Sequence, residues 1–293
     1  MEGHMKRNNI KILTVILSLL LLLSGCINKE GEETTPPIDV SGVDQNSIGS
    51  YLTMQYQYIT NVDVASLTTN LNDAYLILAN KHSELESTYK PSSLTKLTCA
   101  TLQPNRTYEL ESFAAQALYA MLAEMKAAGV SDVMVASAYR SYDYQKETYE
   151  KYVQQEMTYI STDAYRVFGQ EYIKMNYLEK GIFGLSFEDA HTVVQSYSAK
   201  PGQSEHQTGL CVDLITSDMG AELTEAFETT SAFAWLSENA YKFGFILRYP
   251  KGKEDVTGYT YEPWHYRFVG REAATDIYVG QMTLEQYLQL ASN

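Results

Sequence analysis

Two imidazoles and one carboxylate stand in two short polar stretches of this 293-residue chain, and together they make a donor set for one divalent metal ion. The first stretch is Ser204-Glu205-His206-Gln207-Thr208-Gly209-Leu210-Cys211-Val212-Asp213, and the second is Glu262-Pro263-Trp264-His265-Tyr266-Arg267. A catalytic zinc takes three protein ligands and keeps a fourth position for water, a rule that His206, Asp213 and His265 satisfy. Glu262 is then a spare carboxylate, close enough to a ligand to take a proton from water and hand it to a leaving group. Bound zinc lowers the pKa of water toward 7 and polarises a carbonyl, so the chemistry on offer is hydrolysis. A histidine with an aspartate seven positions on is common by chance. The second stretch adds the weight: the chain has only five histidines and two tryptophans, and core packing alone does not require a Glu-Pro-Trp-His-Tyr-Arg run.

The flanking patterns say how these residues would be positioned. Leu210 to Ile215 alternates, Leu210, Val212 and Leu214 on one face and Cys211, Asp213 and Ile215 on the other, which predicts a half-buried strand carrying Asp213. The Ser-Glu-His-Gln-Thr-Gly run is a turn that folds His206 back toward it. Pro263 biases Glu262 to extended geometry, after which Trp264, Tyr266 and Phe268 point one way and His265, Arg267 and Val269 the other. Val133 to Tyr139 predicts a strand that delivers Arg140, and Ser141 caps a helix from Tyr142 to about Met157, with Asp143 favourable in its first turn. An arginine at such a junction, with Gln145 one turn on, suits bidentate capture of a carboxylate, although by spacing alone a surface ion pair is the better reading. Helical spacing of Leu110, Phe113, Ala114, Ala117, Leu118, Met121, Leu122 and Met125 predicts a core helix over Tyr108 to Ala128, stopped by Gly129. Ser231 to Tyr241 reads as a helix feeding a strand at Phe245 to Tyr249, and Thr257 to Tyr261 as a hairpin partner of the ligand strand. Thr283 with Gln286 caps a last helix through Leu290. Thr68 to Lys81 fits a helix or a strand.

Three blocks carry a family resemblance: Ser137-Ala138-Tyr139-Arg140-Ser141-Tyr142 with Gln145; Ser204 to Leu214; and Phe243 to Lys253 running on to Glu262-Pro263-Trp264-His265-Tyr266-Arg267-Phe268-Val269-Gly270. With a weaker similarity near Asn80-Lys81, residues 75 to 275 resemble the VanY-like D-alanyl-D-alanine and L,D-carboxypeptidases, zinc enzymes that trim bacterial cell-wall stem peptides. The resemblance implies an α+β fold, a small antiparallel sheet flanked by helices of the Hedgehog/DD-peptidase-like zinc type. It implies one Zn2+ on His206, Asp213 and His265, Glu262 as the acid-base residue, and Arg140 gripping either the substrate's terminal carboxylate or the developing oxyanion, with Gln145 and Ser204 as lesser substrate contacts. It implies removal of the carboxyl-terminal D-alanine from peptidoglycan stem peptides, with D-Ala-D-Ala favoured over an L,D bond. A wall-binding lipoprotein that keeps the metal without catalysis, and a cross-link endopeptidase, are the alternatives. Residues 158 to 200 are helical in flavour, with Ser186 to Asp189 as a capping arrangement, and look like an insertion forming a lid or wall. His191 within them is a fourth-ligand candidate or, more simply, a packed histidine.

Lys6, Arg7 and Lys11 precede an apolar run from Ile12 to Leu23, too short to span a bilayer and so a signal-peptide core. It ends in Leu23-Ser24-Gly25-Cys26, which resembles the bacterial lipoprotein cleavage box and implies a lipid on Cys26; a plain secretory signal is the alternative. Met1 or Met5 could start the chain. Residues 1–25 are thus expected to be a lipoprotein signal peptide, 26–50 a flexible tether rich in Glu, Thr, Pro and Gly, and 51–293 the zinc carboxypeptidase domain. The expected location is extracytoplasmic, on the outer face of the bacterial cell membrane. With 36 acidic against 22 basic residues and net charge −14, the chain lacks the basic footprint for nucleic acid or for electrostatic membrane adhesion, and no protein partner is evident. Cys99 and Cys211 form a disulfide or two buried free thiols. Cys211 occupies a place where the family has a small residue, outside its ligand set.

Overall fold

The computed structural model describes residues 38–63, 73–160, 187–195, 197–220 and 222–291. The predicted signal peptide, Cys26 and most of the predicted lid lie outside them. The strands are β1 (Leu94–Lys96), β2 (Glu109–Glu111), β3 (Met134–Ser137), β4 (Cys211–Ile215), β5 (Phe245–Leu247) and β6 (His265–Phe268). The helices are α1 (Ser112–Ala127), α2 (Tyr142–Ile160), α3 (Phe187–Val194), α4 (Ser231–Asn239), α5 (Glu254–Thr257), α6 (Arg271–Gly280) and α7 (Leu284–Ala291). The chain falls into two compact units, one of Ile38–Glu147 with Ala199–Asn293, the other including Thr148–Ser198.

In the larger unit an antiparallel sheet of order β3-β4-β6-β5 supports the polar stretches. Its alternation sends Val135, Val212, Leu214, Phe245, Tyr266 and Phe268 into one apolar cluster with Ala114, Leu118 and Met121 of α1 and Leu236 of α4. Helix α1 starts later than its apolar spacing implied because Glu109–Glu111 is taken up pairing with β1. The Glu111 side chain then caps the helix, accepting from the amides of Phe113 and Ala114. Gly129, at φ +86°, ends it as expected. A second cluster joins Ile246 and Val269 to Ala273, Ala274 and Ile277 of α6 and Leu284 and Tyr287 of α7. Thr283 and Gln286 cap α7 reciprocally, backbone to side chain in both directions.

Three expectations are corrected here. Thr257 to Tyr261 is no hairpin partner: β6 is paired by β4 on one side and β5 on the other, and Glu254–Thr257 forms a short helix closed by Gly258 at φ +75°. The described part of Thr68 to Lys81 holds only a 3-10 turn at Asp73–Tyr75 and an isolated bridge at Asn80. Residues 38–50 are docked rather than a tether. Gly49 and Tyr51 donate their amides to Asp276, and the amide of Asp44 donates to Gly280 O. A Cβ on Gly280 would sit 2.3 Å from Ser47 Oγ, so any larger residue would force that buried side chain to move.

The smaller unit buries Tyr149, Val153, Ala190 and Val194 together. His191 is packed there, its Nδ1 3.0 Å from Tyr149 Oη and its ring edge-on to Phe187.

Candidate active site

The register of the sheet assembles the predicted ligands. Asp213 on β4 lies directly opposite His265 on β6, so both side chains leave the same face as neighbours. Ser137 on β3 pairs with Asp213 on the other side, after a register shift beyond Val135. The turn Glu205–Thr208 is a single 3-10 turn ending at Gly209, φ +66°. A Cβ on Gly209 would meet Pro91 Cγ at 2.9 Å, so the turn needs glycine for both conformation and space. The turn brings His206 Nε2 within 3.2 Å of Asp213 Oδ2, while His265 Nδ1 lies 3.1 Å from Asp213 Oδ1. The two rings stand at 90° with centroids 5.1 Å apart. His206 Nδ1 is 2.7 Å from the carbonyl of Ala138; a proton held there leaves Nε2 with its lone pair toward Asp213.

The donor set fits a divalent ion. Two imidazole nitrogens and a carboxylate converge out of contact with the surface, each residue no more than 3% exposed. Asp213 is buried, which disfavours its charge, yet His206 and His265 hold its carboxyl well below the usual range. Burial and Arg140 press the His206 pKa down, but Cys211 and Asp213 outweigh them and the net direction is up. For His265 burial again opposes charge, and Cys211 and the Asp213 hydrogen bond carry the pKa well above its ordinary value. Without a cation, protons on the imidazoles balance the carboxylate, and a metal ion would displace them.

Cys211 also reaches this cluster. The donor atoms of His206, Cys211 and His265 all lie within 4.8 Å of one another, although the family pattern places Cys211 outside the ligand set. Burial pushes its thiol up, and the two imidazoles more than offset this, bringing it down to about 7. The expected alternative of a Cys99–Cys211 disulfide is not formed. Both are free thiols, Cys211 buried and Cys99 partly exposed.

Around the donors stand the other predicted residues. Glu262 Oε2 lies 3.6 Å from His265 Nδ1, with the Glu262 side chain 20% exposed. Burial pushes its carboxyl up to about 7, with His265 pulling the other way and Asp213 adding to the rise. Such a group both takes and gives a proton near neutrality. Arg140, just beyond β3, is fixed through its backbone amide donating to His206 O. Its Nη2 lies 3.6 Å from Asp213 Oδ2, and its Nε is buried without a hydrogen-bond partner among the described residues. Gln145 is buried: its Oε1 accepts from Arg140 Nη1 at 3.1 Å, and its Nε2 donates to Ala199 O at 2.8 Å. Gln145 therefore aims the guanidinium from behind. Ser204 is buried at the entry to the 3-10 turn.

Behind the ligands lies a group that sequence reasoning missed. Glu205 Oε1 accepts from Arg248 Nε at 2.8 Å and Arg267 Nη1 at 2.7 Å, and Arg248 also pairs with Glu285. All four side chains are essentially inaccessible. The alternation that put Arg267 on the His265 face was the one available signal.

The comparisons with known proteins follow this geometry. Residues 107–271 match the VanY family of D-alanyl-D-alanine carboxypeptidases. The chain belongs to that family. One relative of the chain is YodJ of Bacillus subtilis (strain 168), named as a carboxypeptidase, 34% identical over 248 residues, 83% of this chain and 78% of the relative. A D-alanyl-D-alanine carboxypeptidase of Enterococcus faecalis is 45% identical over 105 residues, 36% of this chain and 37% of its own. Among solved structures, the LdcB LD-carboxypeptidase shares 34% identity at a TM-score of 0.59, covering 78% of this chain and 92% of that one. A VanY D,D-pentapeptidase variant in complex with Zn(II) gives 32% identity and 0.54, over 73% and 99%. The mixed fold with its small antiparallel sheets is that of these VanY and LdcB enzymes.

Proposed function

We propose that this chain is a zinc carboxypeptidase that removes the terminal D-alanine from peptidoglycan stem peptides, cutting D-Ala-D-Ala in preference to an L,D bond. The observation that carries the reading is one cluster: His206, Asp213 and His265 converge, Glu262 stands 3.6 Å from a ligand nitrogen, and Arg140 offers an unsatisfied buried donor beside them. When bound, zinc held by the three ligands would acidify water and polarise the scissile carbonyl. Glu262 takes the proton of the attacking water and returns it to the leaving amine nitrogen, so the amide bond breaks with no net proton change on the enzyme. Arg140, 3.6 Å from Asp213, stabilises the carbonyl oxygen as negative charge builds on it. Its remaining N–H groups can grip a carboxylate, which an internal peptide bond would not supply. Preference for the D,D bond is supported by the family's description and by a structural neighbour, VanYB in complex with D-alanine-D-alanine at 31% identity and TM-score 0.54.

The reading includes a lipid on Cys26 and a site of action on the outer face of the bacterial cell membrane. Its support is the basic start, the short apolar run and the Leu23-Ser24-Gly25-Cys26 box. Cys26→Ala should move the protein from the membrane fraction to the medium, and retention at the membrane overturns the anchor. For the activity, purified protein with zinc is incubated with tri-, tetra- and pentapeptide stems and a cross-linked dimer, and products are identified by mass. Free D-alanine from the pentapeptide is expected. D-alanine from the tetrapeptide alone overturns the bond preference, shortened dimers alone favour an endopeptidase, and binding without product favours a wall-binding role.

A further inference from the structure

His206 has its tautomer set by a main-chain carbonyl, and His265 needs an equivalent. Its Nδ1 faces Asp213 and Glu262, so the ring presents the right lone pair to a metal only if the proton sits on Nε2. On that side is Glu205. Its Oε2 lies 3.6 Å from His265 Nε2, and both atoms are buried with no hydrogen bond to any described residue. Two orphaned polar atoms of complementary character, facing across a gap slightly longer than a hydrogen bond, are a costly arrangement unless a small ring rotation joins them.

We propose that Glu205 is a positioning residue for the metal centre: its Oε2 accepts the His265 Nε2 proton and so holds Nδ1 as the metal-binding nitrogen. The inference rests on the zinc reading above. Glu205 is well placed for it, because Arg248 and Arg267 both donate to Oε1 and leave Oε2 alone to face the ring. With two guanidinium donors engaged on Oε1, Oε2 is the oxygen left to accept from the ring. Glu205 also precedes His206 in the chain, so one 3-10 turn supplies one ligand and orients the other.

The geometry makes Glu205→Gln a sharp test. The two arginines would claim the amide oxygen, turning the amide NH2 toward His265 Nε2. The ring would then be driven to carry its proton on Nδ1, the atom that must bind metal. In the full chain labelled with 15N-histidine, zinc-loaded wild type should show a slowly exchanging His265 Nε2–H. Glu205→Gln should shift the metal-free ring toward the Nδ1–H tautomer and weaken zinc binding about 10–100-fold by chelator competition. Glu285→Gln removes a comparable buried negative charge from Arg248 without touching His265. It should leave the His265 resonances in place. Unchanged His265 shifts and zinc affinity in folded Glu205→Gln, or equal changes in both variants, overturn the proposal. Should Glu205→Gln fail to fold, the wild-type spectrum decides alone, and a His265 Nε2 without its proton overturns it. A protein that binds zinc in this tautomer yet cleaves no stem peptide would sink the functional reading and leave this one standing.

Discussion

The two faces of the four-stranded sheet are equally dry and oppositely built. One packs Val135, Val212, Leu214, Tyr266 and Phe268 against α1 and α4, where removal of apolar surface from water and close packing stabilise the fold. The other carries Asp213, His265, Cys211 and Arg267 at the same level of burial. There every charge must be met by a partner, because a single uncompensated one costs several kcal/mol. Strand alternation puts both programmes into the same few residues: Tyr266 supports the fold while His265, next to it, carries chemistry. The lesson is that burial alone does not tell a core position from a site position here. The number of polar groups held in strained company does.

Breaking that contrast gives the largest effects first. His265→Ala should abolish zinc binding and cut turnover by at least about 1,000-fold, whereas Tyr266→Ala should cost about 3–5 kcal/mol of stability by opening a cavity in the apolar face. Calorimetry of both variants against zinc titrations checks this. If His265→Ala unfolds the metal-free protein as readily as Tyr266→Ala, the two faces do not differ in kind. Glu262→Gln should lower kcat about 100- to 10,000-fold and leave zinc bound, as metal analysis beside product assays would show.

The same variant should behave differently in stability. The Glu262 pKa is raised to about 7 in the fold, so between about pH 4.5 and 7 the folded state keeps a proton that the unfolded state has lost. Stability therefore falls as pH rises through that window and stays lowered above it. Metal-free Glu262→Gln should match wild type near pH 4 and exceed it by about 2 kcal/mol at pH 8, the value discounted for partial solvent access. Equal melting at both pH values contradicts the buried-acid account. The smallest effect is expected at Cys211. Cys211→Ala should leave zinc-dependent turnover within about threefold while weakening cadmium binding more than zinc binding, since a thiol favours the softer ion. Calorimetric titration with both ions decides it.

The convergence of His206, Asp213 and His265 was legible because its carriers have local signatures. Alternation around Asp213 and His265 fixed the faces, and Gly209 with its neighbours marked the turn. What alternation could not supply was the pairing partner: the Thr257–Tyr261 hairpin fails because β5 already occupies that edge of β6. Residues 38–60 were illegible for another reason. Up to residue 50 there is no apolar periodicity, and the segment is held by carboxylates distant in sequence, Asp276 taking the amides of Gly49 and Tyr51 and Glu124 those of Ile59 and Thr60. Such contacts depend on the finished fold. Glu205 was hidden in plain view, because an acidic residue in a polar turn is expected at the surface and its two arginines lie 43 and 62 positions away.

The docking of residues 38–50 shortens the leash. With a lipid on Cys26 as proposed, only residues 27–37 would separate bilayer from enzyme, a stretch that even drawn taut covers no more than about 40 Å. The enzyme would then patrol only the innermost layer of wall, and lengthening that stretch with a glycine-serine insert should carry its cutting outward.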